Sequence, residues 1–214
     1  MFKYKINKDL AEETGIHIGD GSMNIYSGVY SYTLACHHID DKEYMDYHLI
    51  PLYERIYGVK PKGREWSKGT YGFRIHNRNI VEFKRDVLGL PMGKKDNINI
   101  PSQILEEKNL RKAFLRGFVD TDGGINTFLA NKRKVYPRIE MCNVSKNLMK
   151  SINTILREFG FRTSTWVTNS NKEKWNEVSR LSINGFGMLK KWKEEIGFSN
   201  PKNIKKSDKL VGLE

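Results

Sequence analysis

An internal repeat is the feature of this sequence that most limits its possible folds. Residues 11–21 read AEETGIHIGDG and residues 113–123 read AFLRGFVDTDG, at an offset of 102 residues. Four residues recur at that single offset: an alanine, a glycine, an aspartate and the glycine directly after it. Four matches within eleven residues predict two similar structural units in one chain, related by a pseudo-twofold axis.

Each copy of the repeat is followed by the same order of predicted elements. Alternating apolar and polar residues after Gly21 and Gly123 are typical of the strands of a hairpin. A helix follows in each half, over roughly 42–57 and 146–159, and each ends at a glycine. A further strand and helix complete each half, over 73–75 and 80–88 in the first and over 180–183 and 186–196 in the second.

The order of elements in each half is therefore helix, hairpin, helix, strand or hairpin, helix. Residues 98–102, Ile-Asn-Ile-Pro-Ser, are the best candidate for a linker between the halves. We therefore expect an N-terminal unit over residues 1–100 and a C-terminal unit over residues 101–214.

Small residues recur at every fourth position of each copy. They are Ala11, Gly15 and Gly19 in the first copy, and Ala113, Gly117 and Thr121 in the second. Residues spaced by four share one face of a helix, and a face of small side chains lets two helix backbones approach closely. We expect the two repeat helices to pack against each other across the pseudo-twofold axis.

Asp20 and Asp122 fall at the last turn of these two helices, before glycines that suit a C-terminal cap. A carboxylate there meets the negative end of the helix dipole, at a cost of about 0.3–1 kcal/mol. Two such carboxylates near the axis also repel each other. A single Asp-Gly pair usually makes only a turn, but two on matched helices indicate a site for divalent cations, by default Mg²⁺.

Charge and cysteine usage narrow the possible classes. Lys and Arg outnumber Asp and Glu by 37 to 25, and the net charge of +12 suits a polyanionic partner. Hydrophobic residues make up 38% of the chain, enough for a core. Cys36 and Cys142 form no CxxC pair. We expect both to be reduced, which suggests an intracellular protein of the cytoplasm, the nucleoid or an organelle matrix. The sequence contains no apolar run of membrane-spanning length and no signal-peptide core at its start.

The repeat resembles the signature of a known family. Residues 115–123, LRGFVDTDG, are similar to the LAGLIDADG motif, and residues 13–21, ETGIHIGDG, are a weaker copy with Ile18 where the motif has its first aspartate. The resemblance is to the single-chain, two-motif homing endonucleases of mobile introns. It implies an α+β fold of two tandem αββαββα units, whose two saddle-shaped antiparallel sheets carry their helices on one face and straddle the DNA major groove.

The resemblance also implies roles for particular residues. Asp20 and Asp122 would bind the metals, helped by the backbone carbonyls of Gly19 and Thr121. The first aspartate of the motif is usually a structural contact, so its loss at Ile18 leaves the expected activity intact. A polar residue at the base of each sheet would orient water, and His38 and Asn143 are the candidates; a helix N-terminal role is the alternative for both.

The family places a lysine near each scissile phosphate, and residues 89–95 and 197–206 are the matching segments. Lys95 and Lys206 are our candidates, with Lys94 and Lys205 as rivals. Simple phosphate contact or solvation is the alternative role for all four.

Contacts to DNA bases and backbone are expected from hairpin residues, although about half of any strand faces the core. The candidates are Tyr26, Tyr30, Tyr32, Arg74, Arg78, Lys132, Arg133, Lys134, Arg138 and Arg180. The aromatic side chains of the helices, such as Trp192 and Phe83, are expected in the core.

The sequence therefore predicts a monomeric endonuclease that binds a long double-stranded DNA site and makes a Mg²⁺-dependent staggered break. The first alternative is a non-cleaving LAGLIDADG protein, either a splicing maturase with RNA as partner or a transcription regulator. A general RNA-binding or ribosome-associated protein is supported by charge alone. An intein-embedded form is disfavoured because the sequence starts without a splicing-type Cys or Ser and ends without His-Asn.

Overall fold

A computed structural model of the chain describes residues 4–130, 134–168 and 177–212. It contains two four-stranded antiparallel sheets with helices against them, which confirms the α+β class and the tandem αββαββα order. No helix in these described ranges is long and apolar enough to cross a membrane.

The first unit begins with helix α1 (Lys8–Asp20), capped by the Asn7 side chain, which accepts a hydrogen bond from Leu10 N. Two strands, a long helix, a second pair of strands and a closing helix follow. They are β1 (Gly21–Tyr26), β2 (Val29–His37), α2 (Lys42–Tyr44) continued by a π-helical turn (Met45–Leu49) into α3 (Ile50–Tyr57), β3 (Arg64–Ser67), β4 (Thr70–His76), and α4 (Arg78–Glu82) continued by a π-helical turn (Phe83–Val87).

The second unit repeats this order after a short helix, α5 (Ser102–Leu105). Its elements are α6 (Lys108–Asp122), β5 (Gly123–Ala130), β6 (Lys134–Asn143), α7 (Lys146–Glu158), β7 (Thr163–Thr168), β8 (Val178–Asn184), α8 (Phe186–Glu195) and α9 (Pro201–Val211). The strand orders, β1-β2-β4-β3 and β5-β6-β8-β7, are the same in both units. Helix α9 has no counterpart in the first unit and was not predicted.

Helices α1 and α6 pack backbone to backbone, as the small residues predicted. A methyl group added to Gly15 would overlap the Phe114 carbonyl oxygen, and one added to Gly117 would overlap the Glu12 carbonyl oxygen. Farther along, a methyl group on Gly19 would overlap the Thr121 hydroxyl. The two halves of the molecule are therefore joined along the repeat itself.

The glycines after the two aspartates occupy the C-cap positions of α1 and α6, as expected, but not in the left-handed conformation typical of such caps. Gly21 (φ −80°, ψ 155°) and Gly123 (φ −142°, ψ −160°) are extended and open strands β1 and β5. The chain needs small residues there for space, because a Cβ on Gly21 would lie 2.8 Å from the Tyr32 hydroxyl.

The predicted linker is a packed segment. Ile98 and Ile100 are buried, and the Ile98 amide and carbonyl both bond to the Ser145 hydroxyl, at 3.1 and 2.8 Å. Ser145 also caps α7, so the segment is held by the second unit.

The core lies between each sheet and its helices. Trp192 and Phe83 are both buried there, as expected. An ion pair is also enclosed: Lys84 Nζ lies 2.6 and 2.5 Å from the two Glu13 oxygens, and both side chains are essentially inaccessible. The hydroxyl of Tyr57 donates to the same carboxylate at 2.9 Å.

Candidate active site

The two aspartates of the repeat end α1 and α6 where these helices meet. Burial, the negative charge of Asp122 and that of Asp41 raise the pKa of Asp20 to about 7. Burial also raises the pKa of Asp122, against the lowering effect of a hydrogen bond from Asn143. The structure thus brings the predicted carboxylates into one electrostatically coupled centre.

The donor set of this centre fits a divalent cation of the Mg²⁺ type. No described part of the chain holds a cluster of three or more His, Cys, Asp or Glu suited to a metal. Mg²⁺ is ordinarily bound by one or two carboxylates, and water and substrate phosphates complete its coordination. A pair of carboxylates at a point accessible to a substrate matches that requirement.

Lys95 lies at this centre. Its ammonium donates to the carbonyl oxygens of the last turn of α1, at 2.6 Å from Ile18, 2.7 Å from Gly19 and 2.9 Å from Gly21. A cation is favourable at a helix C-terminus, where carbonyls lack partners within the helix. The charges of Asp20 and Asp122 act on it, although burial lowers its pKa overall. The Gly19 carbonyl, a predicted metal ligand, therefore already accepts a hydrogen bond from a cation. The side-chain hydroxyl of Thr121 donates to carbonyls of its own helix at 3.1 Å.

Lys206 is exposed on α9, and its role at the aspartate pair stays a prediction. Lys202, one turn earlier, makes a contact that was not predicted. Lys202 Nζ lies 2.6 Å from Asp41 Oδ1, and its charge lowers the pKa of Asp20. Lys205 pairs with Glu43 on the surface. Lys202 was missed because helix α9 was not predicted: it lies in the first turn of that helix and pairs with Asp41 of the first unit.

Asn143 occupies the predicted place, and its Nδ2 donates to Asp122 Oδ2 at 2.6 Å. His38 does not occupy the equivalent position in the first unit. Strand register pairs Gly21 with Leu34 and Gly123 with Met141, so the residue two positions further is Cys36 in one unit and Asn143 in the other. His38 lies beyond the end of β2, and its Nε2 is 3.6 Å from Glu65.

Cys36 was missed because a cysteine does not resemble an asparagine in sequence, although strand register identifies it. Its thiol donates to the Asp41 carbonyl at 3.6 Å. Burial and the charges of Asp41 and Asp20 raise the pKa of this thiol to about 12. The Asp20 side of the centre therefore has a neutral thiol where the Asp122 side has an amide.

Asp120, the first aspartate of the second motif, has a structural role. It accepts from the backbone amides of Ser199 and Asn200, at 2.6 and 3.0 Å, and from Asn203 Nδ2 at 2.8 Å. It thereby fixes the start of α9, in agreement with the role expected for that motif position. The first unit has Ile18 at this position and no helix corresponding to α9.

The direction in which each strand residue points decides which of the predicted DNA contacts are accessible to DNA. In β2 the residues Tyr30, Tyr32 and Leu34 point to the core, and Tyr32 is fully buried, stacked on His17 with ring centroids 5.4 Å apart. Tyr32 is therefore excluded as a DNA contact, because strand alternation puts it on the wrong face. Tyr30 is partly buried against the same core.

Arg78 also lies away from the sheet face. It is in the first turn of α4, bonded to Glu82 at 2.8 Å and stacked over the Tyr30 ring at 5.1 Å. Lys132 and Arg133 lie outside the described residues, as does the side chain of Lys134, which opens β6.

The remaining candidates lie on the sheet face away from the core. Tyr26 is 83% exposed at the end of β1. Arg74 in β4 bonds to Thr33 at 3.0 Å, Arg138 in β6 to Asn184 at 2.9 Å, and Arg180 in β8 to Glu140 at 2.8 Å. The predicted DNA contacts did not include His76, Trp66 or Glu140. Strand alternation nevertheless places His76 on the same face as Arg74, and Glu140 on the same face as Arg138.

Comparison with known proteins supports this geometry. A model of the LAGLIDADG-like domain matches residues 109–197. Among solved structures, I-DmoI in complex with DNA and Ca has a TM-score of 0.65 at 18% identity, over 96% of this chain and 97% of that one. The meganuclease I-SmaMI bound to uncleavable DNA has a TM-score of 0.62 at 12% identity, over 98% and 91% of the two chains.

Curated relatives share the segment but not a common activity. The replication factor C small subunit of Methanocaldococcus jannaschii is 28% identical over 206 residues, 96% of this chain and 10% of that protein. The tRNA-splicing ligase RtcB of Pyrococcus furiosus is 28% identical over 169 residues, 74% and 17% of the two. The chain thus spans only a small fraction of the length of these relatives.

The molecule is a single-chain pseudo-dimer. Its two repeat helices pack together and end in coupled aspartates, and each helix is followed by an antiparallel sheet. The LAGLIDADG-like domain matches residues in the second half of the chain, and the fold over nearly the whole chain is similar to that of I-DmoI.

Proposed function

We propose that the chain is a site-specific DNA endonuclease that makes a divalent-cation-dependent staggered double-strand break. The observation that carries this proposal is the pairing of Asp20 and Asp122 at the ends of two closely packed helices, where the charge of Asp122 helps to raise the pKa of Asp20. Like charges held close together are costly unless a cation or a proton compensates them.

The metal, Mg²⁺ by default, would be held by Asp20 and Asp122 with the carbonyls of Gly19 and Thr121 nearby. It would supply a polarised water and stabilise charge on the phosphate oxygens. Lys95 adds a fixed positive charge beside both carboxylates, and Asn143 orients the Asp122 carboxylate. Each helix end would serve one DNA strand.

The outward faces of the two sheets would bind the duplex. Arg74, Arg138 and Arg180 lie on these faces, and each is held by a neighbouring side chain. Arginines on strands in a major groove read guanine edges or contact phosphates. Solved relatives described as bound to DNA, with Mn or Ca in some cases, have the same fold. We further propose that the protein acts as a monomer whose units divide near residue 100.

The test is incubation with a duplex that joins the two exons flanking the gene, with a randomised duplex library as a second substrate. We expect cleavage of both strands with Mg²⁺ or Mn²⁺ and none with EDTA. Salt-dependent binding to this duplex without cleavage, or tighter binding to the matching RNA, would instead establish the non-cleaving alternative.

A further inference from the structure

Asp41 uses its carboxylate in an unusual way. It occupies the N-cap position of α2, where an aspartate normally accepts a hydrogen bond from its own helix, yet its side chain makes no such bond. The Asp41 carboxylate is bonded instead to the second unit: Oδ1 lies 2.7 Å from Asn200 Nδ2 and 2.6 Å from Lys202 Nζ. Asp41 therefore forms a contact between the two units in place of the usual N-cap hydrogen bond within its own helix.

The partners of Asp41 are themselves firmly placed. Asn200 is fully buried, caps α9 by accepting from the Lys202 amide at 3.1 Å, and is tied to Asp120 through its own amide. Asp41 is 14% exposed and Lys202 is 44% exposed, so the pair is shielded on the Asp41 side only. The contact therefore has a defined geometry on both sides.

This contact also lies beside the aspartate pair. The Cys36 thiol, in the strand position equivalent to Asn143, donates to the Asp41 carbonyl. The charges of Asp41 and Lys202 both act on Asp20. A second pair between the same elements, Glu43 with Lys205 at 2.8 Å, is exposed on both sides (54% and 71%) and is expected to contribute little.

Building on the proposed endonuclease function, we propose that Asp41 is a positioning residue that docks the start of α9 and Lys202 against the Asp20 side of the centre. The active site for one DNA strand is then composite: its carboxylate comes from the first unit and its second lysine from the last helix of the second unit. The Asp122 side does not depend on this contact, because Asn143 of its own unit holds that carboxylate.

The test measures single-turnover cleavage of each end-labelled strand at saturating protein, so that weakened binding does not contribute. Asp41→Ala is expected to slow one strand about 10-fold or more, with the other changed less than about 3-fold. Asp41→Asn keeps an acceptor oxygen and should lose less. The matched control, Glu43→Ala, should leave both strands at the wild-type rate. Equal slowing of the two strands by Asp41→Ala would overturn the proposal.

A second measurement separates this proposal from the endonuclease function. If the wild-type protein cuts no DNA, that function fails, and a double-variant cycle of Asp41→Ala with Lys202→Ala in urea unfolding decides the docking contact. We expect the double variant to be destabilised clearly less than the sum of the two single variants. Additive effects would show that Asp41 and Lys202 do not act together and would overturn the docking contact as well.

Discussion

Asn143 Nδ2 lies 2.6 Å from Asp122 Oδ2, whereas Cys36, at the equivalent strand position, donates to the Asp41 carbonyl and gives Asp20 no corresponding amide partner within the described residues. The two halves of the centre are thus chemically different even though the helices that carry the aspartates are related by the repeat. Under the proposed endonuclease function, this asymmetry allows the cleavage of the two strands to be separated experimentally.

Removal of the Asn143 amide should affect one cut. Asn143→Ala frees the Asp122 carboxylate from its only described side-chain donor, and loss of such an outer partner typically costs 10–100-fold in activity or metal affinity. We expect slower cleavage of one strand, the one spared by Asp41→Ala, in the strand-resolved assay. Asn147→Ala, which removes an exposed amide bonded to Asn97 at 3.0 Å, is the control and should change neither rate.

A methyl group at the helix interface should destabilise the fold. In Gly117→Ala the new Cβ overlaps the Glu12 carbonyl, so α1 and α6 must move apart, at a cost of about 3 kcal/mol. Urea unfolding measures this change. Gly187→Ala in α8 meets open space and should be neutral or slightly stabilising. Equal stability of the two variants would contradict the close packing of the repeat helices.

Glu12 should make stability depend on pH in acid. Burial alone would raise its pKa, but hydrogen bonds from His48 and Arg116 outweigh it and lower the pKa to about 2, from 4.5. A lowered pKa stabilises the fold above pH 4.5, and this stability is lost as the pH falls toward 2, by roughly 3 kcal/mol.

Unfolding of wild type and Glu12→Gln between pH 6 and pH 3 tests this. The wild-type advantage over Glu12→Gln should shrink as the pH falls, because the variant lacks the titrating carboxylate. Glu158→Gln, whose pair with Arg111 is half-exposed, should run parallel to wild type. A wild-type advantage that does not change over this range would contradict the lowered pKa.

In the enclosed pair of Glu13 and Lys84, loss of the lysine alone should destabilise the fold more than loss of both charges. Lys84→Met leaves a carboxylate in the core with only tyrosine hydroxyls as partners, and such a loss costs about 3–5 kcal/mol. Combining it with Glu13→Gln removes the uncompensated charge and should restore much of the stability, as judged by the urea midpoint. If the double variant is no more stable than Lys84→Met, the pair is not a charge pair in the folded protein.

Much of the fold was accessible from sequence because the repeat is regular. Gly15 and Gly117 predicted the helix contact, since only small residues allow that approach, and alternation predicted the hairpins. Tyr32 was misassigned because an aromatic residue in a strand fits either face, and only the packing against His17 decides which face it takes.

The site was less predictable where it depends on contacts between the units. Lys202 and Asp41 are separated by 160 residues in sequence, and no local pattern links them. One signal was overlooked: Asn200 followed by Pro201 is typical of a helix N-cap and first turn, and it marks the start of α9. With that helix in place, Lys202 would have been a candidate beside Lys206.

The central claim, that Asp20 and Asp122 share a metal-dependent nuclease centre, is tested most directly by Asp20→Asn and Asp122→Asn. Binding and cleavage of the exon-junction duplex are measured for each variant with Mg²⁺. The account predicts that each variant binds the duplex with near wild-type affinity and no longer makes the double-strand break. A single variant that still cuts both strands at the wild-type rate would contradict it.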